Sequence, residues 1–152
     1  MRFVIQRVTH ASVTVEGKIL GKIEKGFMVL IGVEENDTTT IADKMVSKLV
    51  NMRIFQDEND KMNLSLKDVD GGLLLISQFT LYADCKKGNR PSFTGAGGPD
   101  MASKMYDYII SECKKEIDVV EQGEFGADMK VELLNDGPVT IILDSKEIMP
   151  SK

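Results

Sequence analysis

The sequence predicts a β-rich α+β fold, a single domain spanning residues 1–152 in which two helices pack on a sheet. Three observations carry that prediction. Apolar runs of strand length recur along the chain, two amphipathic segments have helical spacing, and stretches rich in turn-forming residues separate them. With 152 residues, 42% of them apolar and 28% charged, the chain can bury a sizeable core and has a globular composition.

Residues 2–16 read as a strand, with Val13 and Val15 alternating with Ser12, Thr14 and Glu16, and Gly17 turns the chain into Lys18-Ile19-Leu20 to make a first hairpin. Phe27 to Val33 is apolar almost throughout, the signature of a central strand buried on both faces. Ile41, Ala42, Met45, Val46, Leu49 and Val50 recur at helical spacing, and Thr40 with Asp43 resembles a capping box, so a first helix is predicted over about 40–52. A second buried strand begins at Leu73 and is predicted to run through Ser77, Gln78, Phe79 and Thr80 to Tyr82. The stretch from Gly88 to Pro99, rich in glycine and proline, suits a shaped surface loop. Pro99 then opens a second helix over about 100–114, with Ala102, Met105, Tyr106, Ile109, Ile110 and Cys113 on one face. Two late strands, about 129–135 and 139–144, flank Asn135-Asp136-Gly137-Pro138, which reads as a hairpin turn.

Bulk properties narrow the function. A net charge of −5 argues against a broad nonspecific nucleic-acid surface, although a local basic site is compatible with it. The first residues lack the apolar core of a signal peptide and no stretch approaches the roughly 18 apolar residues of a membrane span, so a cytoplasmic protein without membrane association is expected. Cys85 and Cys113 match no redox or zinc spacing and read as free thiols. No P-loop, G-x-G-x-x-G unit or metal-ligand cluster is present, so no cofactor and no metal are expected. His10 is the sole histidine and reads as a polar residue on a strand face, which leaves no conventional triad.

The segments able to carry chemistry are polar interruptions of apolar runs. Ser77 and Thr80 would face opposite sides of a regular strand and satisfy its neighbours; if the strand ends near Gln78, its freed N–H groups and the Thr80 hydroxyl converge on a carbonyl oxygen instead. Gly137-Pro138 is either an ordinary turn or a cis pair that aims backbone carbonyls at a ligand. Lys86, Lys87 and Arg90, beside Asn89 and Phe93, are a solvated loop or a patch that holds a phosphate and stacks a base. Phe125 and Met129 belong to the core or to a pocket wall, and a buried Arg7 requires an acceptor such as a backbone carbonyl.

Taken together, Arg2 to Arg7 with Ala11 to Val15, Met62 to Leu66, Ser77-Gln78-Phe79-Thr80-Leu81, Asn89 to Phe93, Phe125 to Met129 and Asn135-Asp136-Gly137-Pro138-Val139-Thr140 resemble the bacterial-type D-aminoacyl-tRNA deacylases from end to end. The resemblance implies a barrel-like or strongly curved, mainly antiparallel sheet. It also implies a hydrolase that frees D-amino acids, and glycine from mischarged tRNA, from the terminal adenosine of tRNA. By position it makes Ser77, Gln78 and Thr80 the catalytic group and Phe79, Phe125 and Met129 the substrate-binding wall. It further implies a homodimer in which the cis pair Gly137-Pro138, supported by Arg7, enters the partner's site and rejects L-amino acids. An aminoacyl ester brings its own ribose 2′-OH, so such an enzyme needs no histidine base. Two other readings remain open: a noncatalytic module that binds an RNA 3′ end, and a structural dimer sealed by the Gly-Pro segment.

Overall fold

The computed structural model describes residues 1–149. Strand β1 (Arg2–Val15) organises its sheet, because both edges of β1 are paired. Along one edge it pairs antiparallel with β3 (Gly26–Gly32) and then with β2 (Lys18–Ile23), and along the other with β8 (Lys130–Asp144). The expected first strand and hairpin are therefore present. Beyond β3 the pairing turns parallel, to β6 (Gly72–Ser77) and from there to β7 (Val120–Gln122). β2 curls back against β7, so closely that a methyl group on Gly21 would lie 3.0 Å from the Gln122 carbonyl oxygen. The sheet is thus strongly curved and nearly closed.

Curvature creates two apolar clusters. Inside it lie Val8, Ala11, Val13, Ile23, Met28, Leu74 and Ile76. On the other face Phe3, Ile5, Phe27, Val29, Leu73 and Leu75 meet α1 (Thr39–Asn51) and α2 (Pro99–Lys114) through Met45, Leu49, Met105, Tyr106 and Ile109. Alternate residues of β3 and β6 feed both clusters, which is why their sequences are apolar without a polar face. Each such side chain removed from water stabilises the fold by about 1.5–3 kcal/mol.

Four details depart from the sequence reading. The cap of α1 is Thr38, whose backbone is extended and whose hydroxyl accepts the Ile41 N–H at 3.3 Å; Thr40 is already helical and cannot cap. β6 stops at Ser77, and Phe79–Tyr82 form a 3₁₀ turn where strand was expected. A short hairpin, β4 (Phe55–Gln56) with β5 (Met62–Leu64), and the parallel strand β7 were not anticipated. Finally, Asn135 to Pro138 is no hairpin turn, because β8 keeps its direction and pairs with β1 on both sides of the segment.

The side chain of Asn135 explains that last difference. Its Nδ2 donates to the Val139 carbonyl at 2.9 Å and its Oδ1 accepts the Val139 N–H at 3.1 Å. Nδ2 also approaches the Arg7 carbonyl at 3.4 Å, at the place where the β1–β8 register jumps. One amide thus spans the gap in the ladder as a backbone pair would, and residues 136–138 bulge outward while the strand resumes in line.

Candidate active site

The parallel strands β3 and β6 end on the same side of the sheet, and an open pocket of about 720 Å³ lies beyond them. That volume suits a small-molecule group. Its floor is Ile31, Ile76 and Ser77; one wall is Phe79 with Phe93, and the opposite wall is Phe125 to Met129 with Val131. Thr94 and the Ala96 to Pro99 backbone complete the rim, beside the start of α2.

The floor takes its form from the way β6 stops. Gln78 makes the last ladder contact, its N–H donating to the Ile31 carbonyl at 2.8 Å, and the chain then tightens into the 3₁₀ turn. The first N–H groups of any helical turn have no partner within it. Among the described residues, the Phe79 and Thr80 N–H groups accordingly have no hydrogen-bond acceptor. The Gln78 side chain folds back so that Nε2 donates to the Thr80 hydroxyl at 2.5 Å, which fixes both polar groups beside the free N–H pair. Thr80 itself stands just outside the residues that line the pocket.

Aromatic and sulfur groups form the walls. Phe79, 56% exposed, meets Phe93 edge to face with ring centroids 5.0 Å apart. Met129 owes its position to Gly123: a methyl group there would lie 2.4 Å from the Met129 sulfur. Behind Phe125, the buried Tyr106 hydroxyl donates to the Leu75 carbonyl at 2.6 Å, and burial pushes its pKa up to about 12. Among the described residues, Asp128 is the one titratable residue lining the pocket, and it is exposed and paired with Lys130 at 3.1 Å. Among the described residues, the pocket lining thus holds no histidine and no carboxylate other than this paired one.

Arg7 and Gly137-Pro138 lie elsewhere on the chain. Arg7 is 3% exposed, as a charge in β1 can be only when its donors are satisfied. Its Nη1 donates to the Ile54 carbonyl at 2.7 Å and its Nε to the Asp136 carbonyl at 3.1 Å, with the Asp136 carboxylate at 3.6 Å. The guanidinium therefore ties the bulge of β8 to the chain just after α1. The Gly137-Pro138 peptide is cis, and both residues are exposed. Neither lines the pocket of its own chain.

Of the residues singled out from sequence, Ser77, Gln78, Phe79, Phe125 and Met129 thus meet in one pocket, with Thr80 attached through Gln78. Arg7, Gly137 and Pro138 form a separate unit. Sequence reasoning missed the loop wall from Thr94 to Pro99; the small residues Gly95, Ala96, Gly97 and Gly98 in succession were the available signal for backbone that approaches a ligand closely.

The strongly curved α+β sheet thus carries, at the ends of its parallel strands, a concave pocket with aromatic walls, beside which the Phe79 and Thr80 N–H groups lack acceptors among the described residues. The chain belongs to the D-Tyr-tRNA(Tyr) deacylase family, whose model matches residues 4–144. It is 54% identical over 149 residues to a D-aminoacyl-tRNA deacylase of Thermosipho melanesiensis, covering 97% of this chain and 99% of that one. Among solved structures, one titled c-Myc DNA Unwinding Element Binding Protein superposes with a TM-score of 0.90 at 40% identity, covering 95% of this chain and 98% of that one. Another, titled as a probable eukaryotic D-amino acid tRNA deacylase, has a TM-score of 0.84 over 93% of this chain and 97% of its own; at 17% identity it speaks for the fold alone.

Proposed function

We propose that this chain is a D-aminoacyl-tRNA deacylase, which hydrolyses the ester between a D-amino acid and the terminal adenosine of tRNA and also releases glycine from mischarged tRNA. The observation that carries the reading is the end of β6, where the Phe79 and Thr80 N–H groups lack acceptors beside a pocket with an aromatic wall. In the reaction those two N–H groups receive the ester carbonyl oxygen as it becomes an oxyanion. Preorganised donors of this kind are worth about 10²–10³ in rate each. Phe125 and Met129 border the adenine, Phe79 packs on the adenosine and aminoacyl group, and Ser77, Gln78 and Thr80 position the reacting ester.

Water must still be activated, and no pocket side chain is arranged for it. The vicinal ribose 2′-OH of the substrate supplies that group, held next to the carbonyl by the same binding contacts. Thr80 is a positioning residue in this scheme. Its hydroxyl accepts a hydrogen bond from Gln78 and has no base to remove its proton, so it does not form an acyl-enzyme.

Chirality is read by a second copy of the chain. Among the described residues the outer edge of β8 is unpaired, and Leu134 and Ile142 on this strand are 53% and 63% exposed, apolar surface that a partner would cover. Gly137 and Pro138, exposed on this strand and outside the lining of their own pocket, are held through Asp136 by Arg7. In the homodimer their carbonyls occupy the space into which an L side chain would point, while a D side chain leaves toward solvent. Glycine has nothing to reject.

Hydrolysis of matched D- and L-tyrosyl-tRNA by the purified protein tests this function. Release of D-tyrosine with L-tyrosyl-tRNA left intact is expected. RNA binding without release of either amino acid would replace the enzyme with a 3′-end-binding module.

A further inference from the structure

The geometry points to a phosphate-tracking subsite for the single strand that leads into the terminal adenosine, formed by Lys86, Lys87 and Arg90. The inference rests on the deacylase reading and adds to it where the RNA backbone enters. Asp84 and Ser92 pair in both directions, at 2.6 and 2.8 Å, and so pinch residues 85–91 into a closed loop. The exposed Asp84 carboxylate accepts the Lys86 N–H at 3.0 Å. Lys86, Lys87 and Arg90 are all exposed around the loop. Among the described residues none of the three is in an ion pair, whereas Lys67, Lys115, Lys130 and Lys146 each have a carboxylate partner.

Position makes these charges more than a solvated patch. The residue after Ser92 is Phe93, which packs edge to face on Phe79 and forms the wall of the pocket. Arg90 is three residues from Phe93, a span of at most about 11 Å. A nucleotide whose base sits in the pocket would thus bring its 5′ phosphate and the preceding ones near a loop that carries three cations, next in sequence to the Phe93 wall. In a chain of net charge −5, three cations within the five residues 86–90, beside the pocket wall, supply local attraction for an RNA backbone. The contacts are to phosphate, so they raise affinity for any tRNA 3′ end without selecting its sequence.

The test compares the wild-type protein, the K86A/K87A/R90A variant and a K86R/K87R variant on two substrates, D-tyrosyl-tRNA and 3′-D-tyrosyl-adenosine, which has no phosphate. At about 0.7 counterions per phosphate for single strands, three contacts contribute a slope of about 2 to log(kcat/KM) against log salt. A fourfold rise in salt should then cost the wild type about twenty-fold more on tRNA than it costs the triple-alanine variant, through KM. The arginine variant should keep the wild-type slope, and all three proteins should hydrolyse the adenosine ester equally. Equal salt slopes on tRNA would overturn the subsite, as would an equal loss on the adenosine ester, which would make the loop a wall of the pocket only. Failure of the wild type on both substrates would instead remove the deacylase reading, and this inference with it.

Discussion

Arg7→Met is the substitution whose outcome the structure fixes most closely. Methionine keeps the apolar stem and removes the guanidinium, so the change isolates the donors from the packing. The buried Ile54 carbonyl loses a charged donor at 2.7 Å, and hydrogen bonds to charged groups contribute about 1.5–3 kcal/mol. The Asp136 carbonyl loses one at 3.1 Å, but Asp136 is near solvent and water replaces most of that bond, so about 1 kcal/mol is assigned to it. The sum is about 2.5–4 kcal/mol, or roughly a 10 °C fall in Tm for a chain of this length. Urea unfolding at a fixed protomer concentration measures it, since assembly would make apparent stability depend on concentration. Because the bulge at 136–138 is no longer tethered, kcat/KM on D-tyrosyl-tRNA should fall at least tenfold at temperatures where the variant remains folded. Arg7→Lys should recover about half of the stability, as a compact ammonium reaches one carbonyl in place of two. A loss below 1 kcal/mol for Arg7→Met with unchanged activity would refute the view that Arg7 anchors the bulge.

Gly123→Ala places a methyl 2.4 Å from the Met129 sulfur; because a methionine side chain can shift, stability should drop by no more than about 1 kcal/mol while KM rises several-fold, and a KM equal to wild type would show that Met129 does not touch substrate. Cys113 is buried, and burial together with the charge of Glu112 pushes its thiol up to about 12, whereas Cys85 is exposed, so native protein at pH 8 should take up one equivalent of an alkylating reagent and unfolded protein two, counted by mass spectrometry. Burial opposes the charge of Asp144, but the Lys146 N–H and the Arg2 guanidinium outweigh it and hold its carboxyl below the ordinary 3.8. The folded form thus binds that proton more weakly than the unfolded one, so this stabilisation is present above about pH 4 and is lost as pH falls through the lower folded value. Asp144→Asn should flatten the fall in unfolding free energy below about pH 4, and an unaltered slope would contradict the assignment.

Much of the fold was legible because its central strands are hydrophobic on both faces and its helices have one apolar face each. Phe27 to Val33 and Leu73 to Ile76 leave no other economical burial, and Pro99 marks the start of α2 as its missing N–H requires. The misreadings have separate causes, and the late one turned on a side chain replacing a backbone interaction. Asn135 continues a ladder that residues 136–138 interrupt, and composition alone makes Asp-Gly-Pro a reversal of direction. Ser77 and Gln78 are compatible with more strand, and nothing local in the letters says that pairing with Ile31 stops there. The pocket was legible in its polar floor and the Phe125 to Met129 wall. Its loop wall was not, since small residues contribute backbone, and backbone acts through position alone.

The measurement that bears most directly on the account is single-turnover hydrolysis of D-tyrosyl-tRNA carrying the ester on a 3′-OH, with the terminal adenosine either ribose or 2′-deoxyribose. A site that only orients and stabilises the ester predicts rapid release from the first and a loss of several orders of magnitude with the second, at unchanged binding. Equal rates on the two would contradict it, and would require a protein group at the end of β6 to activate water or to attack the ester itself.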